Sequence, residues 1–217
     1  MKTVEAVGGR KLEPDARVRR AILTAASKVV REEGVRALSV AEVLARTRLS
    51  TRAFYRHFDS KDQLVSAVFL EMARTEMMRL EQKMATTGDP VRAVAAWIAG
   101  RLDLAFDDQI RSDLRQMSLE AQSQMFASPE LIGPAYQEML RPLVDEIERG
   151  NDLGAFPGVD PMSEALSIHG VVWANVERQW STGCCDPREI STRVQRFCLR
   201  GLGVAPAVIT EVLDEVD

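Results

Sequence analysis

Leu38-Ser39-Val40-Ala41-Glu42-Val43-Leu44-Ala45-Arg46-Thr47-Arg48-Leu49-Ser50-Thr51-Arg52-Ala53-Phe54-Tyr55-Arg56-His57-Phe58 is the stretch on which the reading of this 217-residue chain turns. Ser39 with Glu42 three residues later has capping-box spacing, and Val40, Val43 and Leu44 supply the apolar stripe of a helix of about two turns. That helix has to end near Thr47. Ser50 then offers the N-cap of another short helix, carrying Phe54 and Phe58. Two short helices joined by the tight turn Thr47-Arg48-Leu49 make a helix-turn-helix, in which the first helix lies over a nucleic-acid backbone and the second enters the major groove.

The second helix is two-faced. At 100° per residue, Thr51, Arg52, Tyr55 and Arg56 fall at about 0°, 100°, 40° and 140°, whereas Ala53 and Phe54 fall at about 200° and 300°. The polar arc suits DNA: Arg forks onto guanine or pairs with phosphate, Thr reads a base edge or a thymine methyl, and Tyr donates to phosphate. Phe54 and Phe58 read as core. Ser60-Lys61-Asp62-Gln63 repeats the capping-box spacing and opens a longer helix, at whose start Lys61 adds charge beside N–H groups that themselves receive phosphate. On the other side, residues 15–33 place Val18, Ile22, Ala25 and Val29 on one face of an amphipathic helix that stops at Gly34. Charge follows the same division: residues 1–62 hold 14 Lys and Arg against 8 Asp and Glu, while the rest of the chain holds 14 against 24. A basic end on an acidic body is expected when one end meets a polyanion.

Beyond residue 85, Asp89-Pro90, Ser128-Pro129, Asp160-Pro161 and Asp186-Pro187 each pair an N-cap acceptor with a residue preset for the first helical position. Helical periods recur between them: Val91, Val94, Ile98, Leu102 and Ala105; Ile110, Leu114, Met117 and Ala121; Ile132, Tyr136, Met139, Leu143 and Ile147. Pro142 predicts a kink or break in the last of these. Residues 150–160 read as a turn-rich loop, followed by helices at about 161–181 and 187–201 and a short one marked by Val208, Ile209, Val212 and Val216. With no alternating strand run and no repeat, the expected class is all-α. The expected division is an N-terminal arm over 1–14, a helix-turn-helix domain over 15–60 and a helical body over 61–217. A composition of 46% hydrophobic and 28% charged residues, with no apolar run long enough to span a bilayer, excludes a transmembrane protein. No secretory signal is legible at the N-terminus, so the cytoplasm is the expected compartment.

This sequence resembles the TetR family of transcriptional regulators through the run 38–45, the run 49–58 and Lys61-Asp62-Gln63-Leu64, a likeness covering about residues 15–65. The resemblance implies DNA binding by the N-terminal helices, dimerisation and a small-molecule cavity in the body, and hence a repressor that leaves a palindromic operator when an effector binds. Carried over by position, Thr51, Arg52 and Tyr55 are the implied groove contacts, and Ser39, Thr47, His57 and Lys61 match positions that touch the backbone. Arg48 and Arg56 join this DNA-binding set by charge. Arg48 departs from the family, which often has a small residue or Gly in the turn. Ser39 also serves as a plain N-cap, and His57 as an alternative cap for its helix end.

The body is less distinctive. Seven of nine Met lie between residues 72 and 139, and unbranched Met tolerates reshaping of a cavity it lines. Trp97, Phe106, Met117, Met125, Phe126, Tyr136 and Trp173 are the candidate ligand contacts, Tyr136 with a polar handle. The expected effector is apolar or amphipathic: fatty acyl, steroid-like or aromatic. His169, Trp173, Val176 and Trp180 share one face that reads as core or dimer seam. Ile168, Val172 and Val176 with Ile190, Val194 and Phe197 form two C-terminal apolar stripes, the expected dimer interface of a four-helix bundle. No nucleophile with a base, metal cluster or phosphate loop is legible, so neither enzyme activity nor any cofactor or metal is expected. Cys184, Cys185 and Cys198 read as reduced thiols, with a thiol-sensor role for the vicinal pair the alternative. The rival reading is a helical small-molecule carrier or interaction protein without sequence-specific DNA binding.

Overall fold

The computed structural model describes residues 15–183 and 186–214, apart from the side chains of 108–114. The expected arm over 1–14, the Cys184-Cys185 pair, Val216 and the side chains of Ile110 and Leu114 lie outside the described residues. Those residues are helices and connections, without a strand: α1 (Ala16–Glu33), α2 (Val40–Thr47), α3 (Thr51–Tyr55), α4 (Lys61–Met84), α5 (Pro90–Phe106), α6 (Asp108–Ala127), α7 (Pro129–Asp152), α8 (Pro161–Thr182), α9 (Pro187–Gly201) and α10 (Pro206–Asp214). The chain divides into two compact units after Val65, inside α4.

In the first unit, α1 buries Ile22, Leu23, Ala26, Val29 and Val30. Val18 and Ala25 of the expected stripe sit at its margin, half-buried, because the buried face is centred on Ala26. α1 packs against α2, and α2 against α3. Phe54 and Phe58 are buried and meet ring to ring at 5.8 Å between centroids. α3 is shorter than expected: it ends at Tyr55, and Phe58 enters the core from the following turn. Arg46 on α2 locks the pair α1–α2, its guanidinium reaching Glu42 at 2.7 Å, Glu32 at 3.1 Å and Glu33 at 2.5 Å. The hydrogen bond that it donates to Glu42 is the first cause that holds this guanidinium's proton more tightly than usual.

In the second unit α5 is the central helix, contacting α6, α7, α8 and α9. Its sequence is apolar on nearly every face, the pattern of a helix wrapped by others. The side chains of Asp89, Asp160 and Asp186 accept from backbone N–H groups of Val91, Ser163 and Glu189 at 3.2, 2.8 and 2.9 Å, as their Asp-Pro pairs predict. Ser128 makes no side-chain cap. α7 runs unbroken through both Pro134 and Pro142. Each proline forfeits a helical hydrogen bond, at about 3 kcal/mol or more in an isolated helix. Burial of Ile132, Leu140, Leu143 and Ile147 along the same helix offsets that cost. Cys198 is buried, and burial pushes its thiol up to about 12, so it is an inert core residue.

The candidate DNA-binding face and effector cavity

The turn between α2 and α3 is set by local chemistry at both ends. The Ser39 hydroxyl accepts from Glu42 N–H at 3.1 Å, while the Glu42 carboxylate turns to Arg46, so the capping box forms on one side only. Thr47 donates its hydroxyl to Val43 carbonyl at 2.7 Å. Arg48 closes α2 with φ 56° and ψ 28°, the left-handed conformation. It is the one non-glycine residue with positive φ among the described residues. An L side chain there crowds the following carbonyl, and Gly does not. Arg48→Gly will therefore stabilise the first unit by about 1 kcal/mol, read as a rise in the urea midpoint. A fall would mean that the Arg48 side chain supplies more than its backbone strain removes.

Ser50 accepts from Ala53 N–H at 3.2 Å and starts α3. Thr51, Arg52, Tyr55 and Arg56 are exposed, and Phe54 is buried, which is the division that the helical angles predict. Among the described residues, Arg48, Arg52 and Arg56 make no ion pair, in contrast to Arg46 with its three carboxylates. Ser60 accepts from Gln63 N–H at 3.1 Å, and the Gln63 side chain accepts from Asp59 N–H at 2.5 Å. These bonds fix the entry to α4 and hold Lys61 at its first turn. His57 is half-buried, with Nδ1 buried and unpartnered. Sequence reasoning missed one feature: Arg17, Arg20, Thr24 and Lys28 of α1 line a shallow trough together with Thr47. The signal was present in the polar face of residues 15–33, but the lining needed α1 and α2 packed together.

The body holds a cavity of about 40 Å³. Of the expected ligand contacts, Tyr136 and Trp173 line it; the other residues around it include Phe69, Met72, Met139, Glu76, Arg101 and His169. The remaining expectations need correction. Phe126 is 83% exposed on α6, and Trp97 and Met117 are buried elsewhere in the core, while Phe106 and Met125 are half-buried and do not line the cavity. Helical periodicity sorts inside from outside but not one interior surface from another, which explains these misses.

The cavity wall carries charge that the periodicity concealed. Glu76, 4% exposed, receives Arg101 Nη1 at 2.8 Å and two bonds from Arg79, at 2.8 and 2.9 Å. Arg79 also donates to Gly100 carbonyl at 2.6 Å and reaches Asp103 at 3.3 Å, where Lys83 also binds at 2.7 Å. Burial pushes the Glu76 carboxyl up, but the hydrogen bonds from Arg79 and the charge of Arg101 outweigh it and hold it below its ordinary range. His169 is pushed down to about 3, by burial first and the positive Arg101 second. Tyr136 donates to Gln122 at 2.6 Å and meets the His169 ring edge-on at 5.4 Å. Trp180 donates to Leu104 carbonyl at 3.2 Å and stands edge-on to Trp173.

The expected dimer stripes are also corrected. Ile168, Val172, Val176, Ile190 and Val194 are all buried within the chain, so they have no face left for a second copy. Phe197 alone of the six is exposed, at 65%, and on α8 the outward large apolar residue is Leu166, at 52%. The apolar stripes of α8 and α9 face their own core, and Leu166 and Phe197 stand exposed at the margins of those stripes.

Comparison with known proteins agrees with this arrangement. Residues 22–68 match the family described as bacterial regulatory proteins, tetR family. An HTH-type transcriptional repressor of Mycobacterium tuberculosis, Rv3405c, is 40% identical over 82 residues, which is 37% of this chain and 43% of that protein. The match thus spans less than half of that curated relative. Among solved structures, RolR in complex with resorcinol superposes with a TM-score of 0.60 at 21% identity, over 91% of this chain and 93% of that one. FadR of Bacillus subtilis in complex with stearoyl-CoA gives 0.64 at 18% identity, over 84% and 98%. At these identities the structures establish the fold: an N-terminal helix-turn-helix followed by a helical body. In sequence, residues 22–68 are thus similar to the tetR family of bacterial regulatory proteins, and in fold most of the chain is similar to these solved structures.

Proposed function

We propose that the chain is a ligand-responsive transcriptional regulator, a repressor that binds a palindromic operator as a homodimer and leaves it when a small molecule occupies the body cavity. The observation that carries this reading is the exposed arc of Thr51, Arg52 and Tyr55 on α3 with Arg56 at its end, whose arginines pair with no carboxylate among the described residues while Arg46 nearby has three. Ser39, Thr47, Arg48, His57 and Lys61 are the proposed backbone contacts around it. The trough residues Arg17, Arg20 and Lys28 extend the same positive surface. The repressor name of the mycobacterial relative and the ligands bound in the two solved complexes support the reading.

The test is selection of a preferred duplex from random DNA, followed by a salt titration. A regulator shows affinity that falls steeply with log[salt] and a large preference for the selected site; a carrier without DNA function shows neither. On the selected site, Arg52→Ala will cost about 1–3 kcal/mol and relax base preference at one position. Lys61→Ala will weaken selected and random duplexes alike and lower the salt slope by about one. Equal losses on both duplexes for Arg52→Ala would reassign Arg52 to phosphate.

The homodimer is proposed to form through the outward faces of α8 and α9. Phe197→Glu will weaken self-association by roughly 30-fold or more in sedimentation velocity, the loss of one buried aromatic anchor at about 2 kcal/mol. Val194→Glu will instead lower folding stability, since Val194 belongs to the core. A Phe197→Glu protein that associates as the parent does would remove this face from the dimer.

A further inference from the structure

The wall of the body cavity contains donors without acceptors. Arg101 Nε, Trp173 Nε1 and His169 Nδ1 are buried with no hydrogen-bond partner, on side chains 5%, 7% and 8% exposed, and all three residues line the cavity. Arg Nε and Trp Nε1 donate only, and a neutral His donates from Nδ1 in one of its two tautomers. Buried donors are almost always satisfied, and a set without partners around one cavity marks an absent acceptor. Glu76 is already taken by Arg79 and Arg101, and Asp103 by Arg79 and the half-exposed Lys83, so neither carboxylate of this described cluster is free for the remaining donors. A carboxylate, which only accepts and takes several donors at once, matches three such groups better than a neutral hydroxyl, which must also donate.

Size and shape narrow the class further. A space of about 40 Å³ is below even the roughly 150 Å³ that holds a benzene ring, so a single-ring ligand enters only as the wall moves aside, and a long chain needs far wider opening. Phe69, Tyr136 and Trp173 offer ring surfaces, with Tyr136 already edge-on to His169, and Met72 and Met139 supply walls that adjust. We propose that the effector is a small aromatic acid whose carboxylate is received by Arg101, Trp173 and His169 and whose ring lies among Phe69, Tyr136 and the two methionines. This inference deepens the proposed function and rests on its assignment of the cavity as the effector site.

The experiment is isothermal titration of the full-length protein with three probes: benzoate, benzyl alcohol with the same ring and no charge, and hexanoate with the same carboxylate and no ring. Benzoate is expected to bind at least tenfold more tightly than either. Arg101→Lys keeps a cation for Glu76 but removes the Nε donor, and is expected to weaken benzoate at least tenfold while leaving benzyl alcohol unchanged. Trp173→Phe, which keeps a ring and removes one N–H, is expected to weaken benzoate severalfold, and it carries the test should Arg101→Lys fail to fold. Benzyl alcohol or hexanoate matching benzoate, no binding of benzoate, or unchanged benzoate affinity in the folded variants would each overturn the inference. The effector reading fails by a different measurement: benzoate that binds as expected yet leaves affinity for the selected duplex unchanged. Absence of any selected duplex defeats the regulator reading without touching the ligand class.

Discussion

Lowering the pH from 6.5 to 4.5 will cost the folded protein about 2 kcal/mol through His169. The imidazole is held down to about 3 in the fold, by burial first and Arg101 second, against an ordinary value of 6.5 in the unfolded chain. Between those two values the unfolded chain binds a proton that the folded chain refuses. Stability therefore falls as pH falls, by up to about 1.4 kcal/mol for each pH unit, and the loss reaches about 4 kcal/mol at pH 3. The window from 6.5 to 4.5 isolates this group from the lowered carboxyls. Glu76 and Asp160 are held below ordinary values of 4.5 and 3.8, so the stability they contribute is present above those values and is lost only at lower pH. Urea denaturation across the window will show the slope in the parent protein. His169→Phe, which keeps a ring and cannot take a proton, will flatten it; an equally steep slope in that variant would place the acid sensitivity elsewhere.

Gly150→Ala will destabilise the body by about 3 kcal/mol, although Ala is ordinarily the better helix former by about 1 kcal/mol. Gly150 lies near the end of α7, and a Cβ built there would stand 2.1 Å from Cδ2 and 2.2 Å from Cε2 of Phe156. Phe156 is completely buried, so its ring has no free direction in which to retreat. The chain folds this ring back over the helix end through Ala155 and Phe156 N–H groups that both donate to Gly150 carbonyl, at 2.8 and 3.2 Å. Thermal denaturation gives the single effect, and a double-mutant cycle with Phe156→Ala gives its cause. In the Phe156→Ala background, itself destabilised by about 3–5 kcal/mol, Gly150→Ala will cost nothing or stabilise slightly. Simple additivity would show that the two side chains do not collide.

The sequence by itself determined what is local. Ser39, Ser50, Asp89, Asp160 and Asp186 mark helix starts because an oxygen acceptor one turn from free N–H groups acts whatever the rest of the chain does. The division of α3 into Thr51, Arg52, Tyr55 and Arg56 outside and Phe54 inside follows from 100° per residue on a helix with one buried side. Tertiary structure decided whatever depended on which helix faces which. An apolar stripe is equally suited to its own core and to a partner, so Ile168, Val172, Val176, Ile190 and Val194 read as a dimer seam until α5 proved to be the helix that α8 and α9 cover. The cavity was hidden for the same reason. Glu76, Arg101 and His169 are polar residues on separate helices, and only their packing around one small space joins them, with burial turning ordinary surface chemistry into strong pairing and a depressed imidazole. Arg48 stands between the two cases: its place in a turn was legible, but its left-handed backbone is imposed by the angle at which α2 must hand the chain to α3.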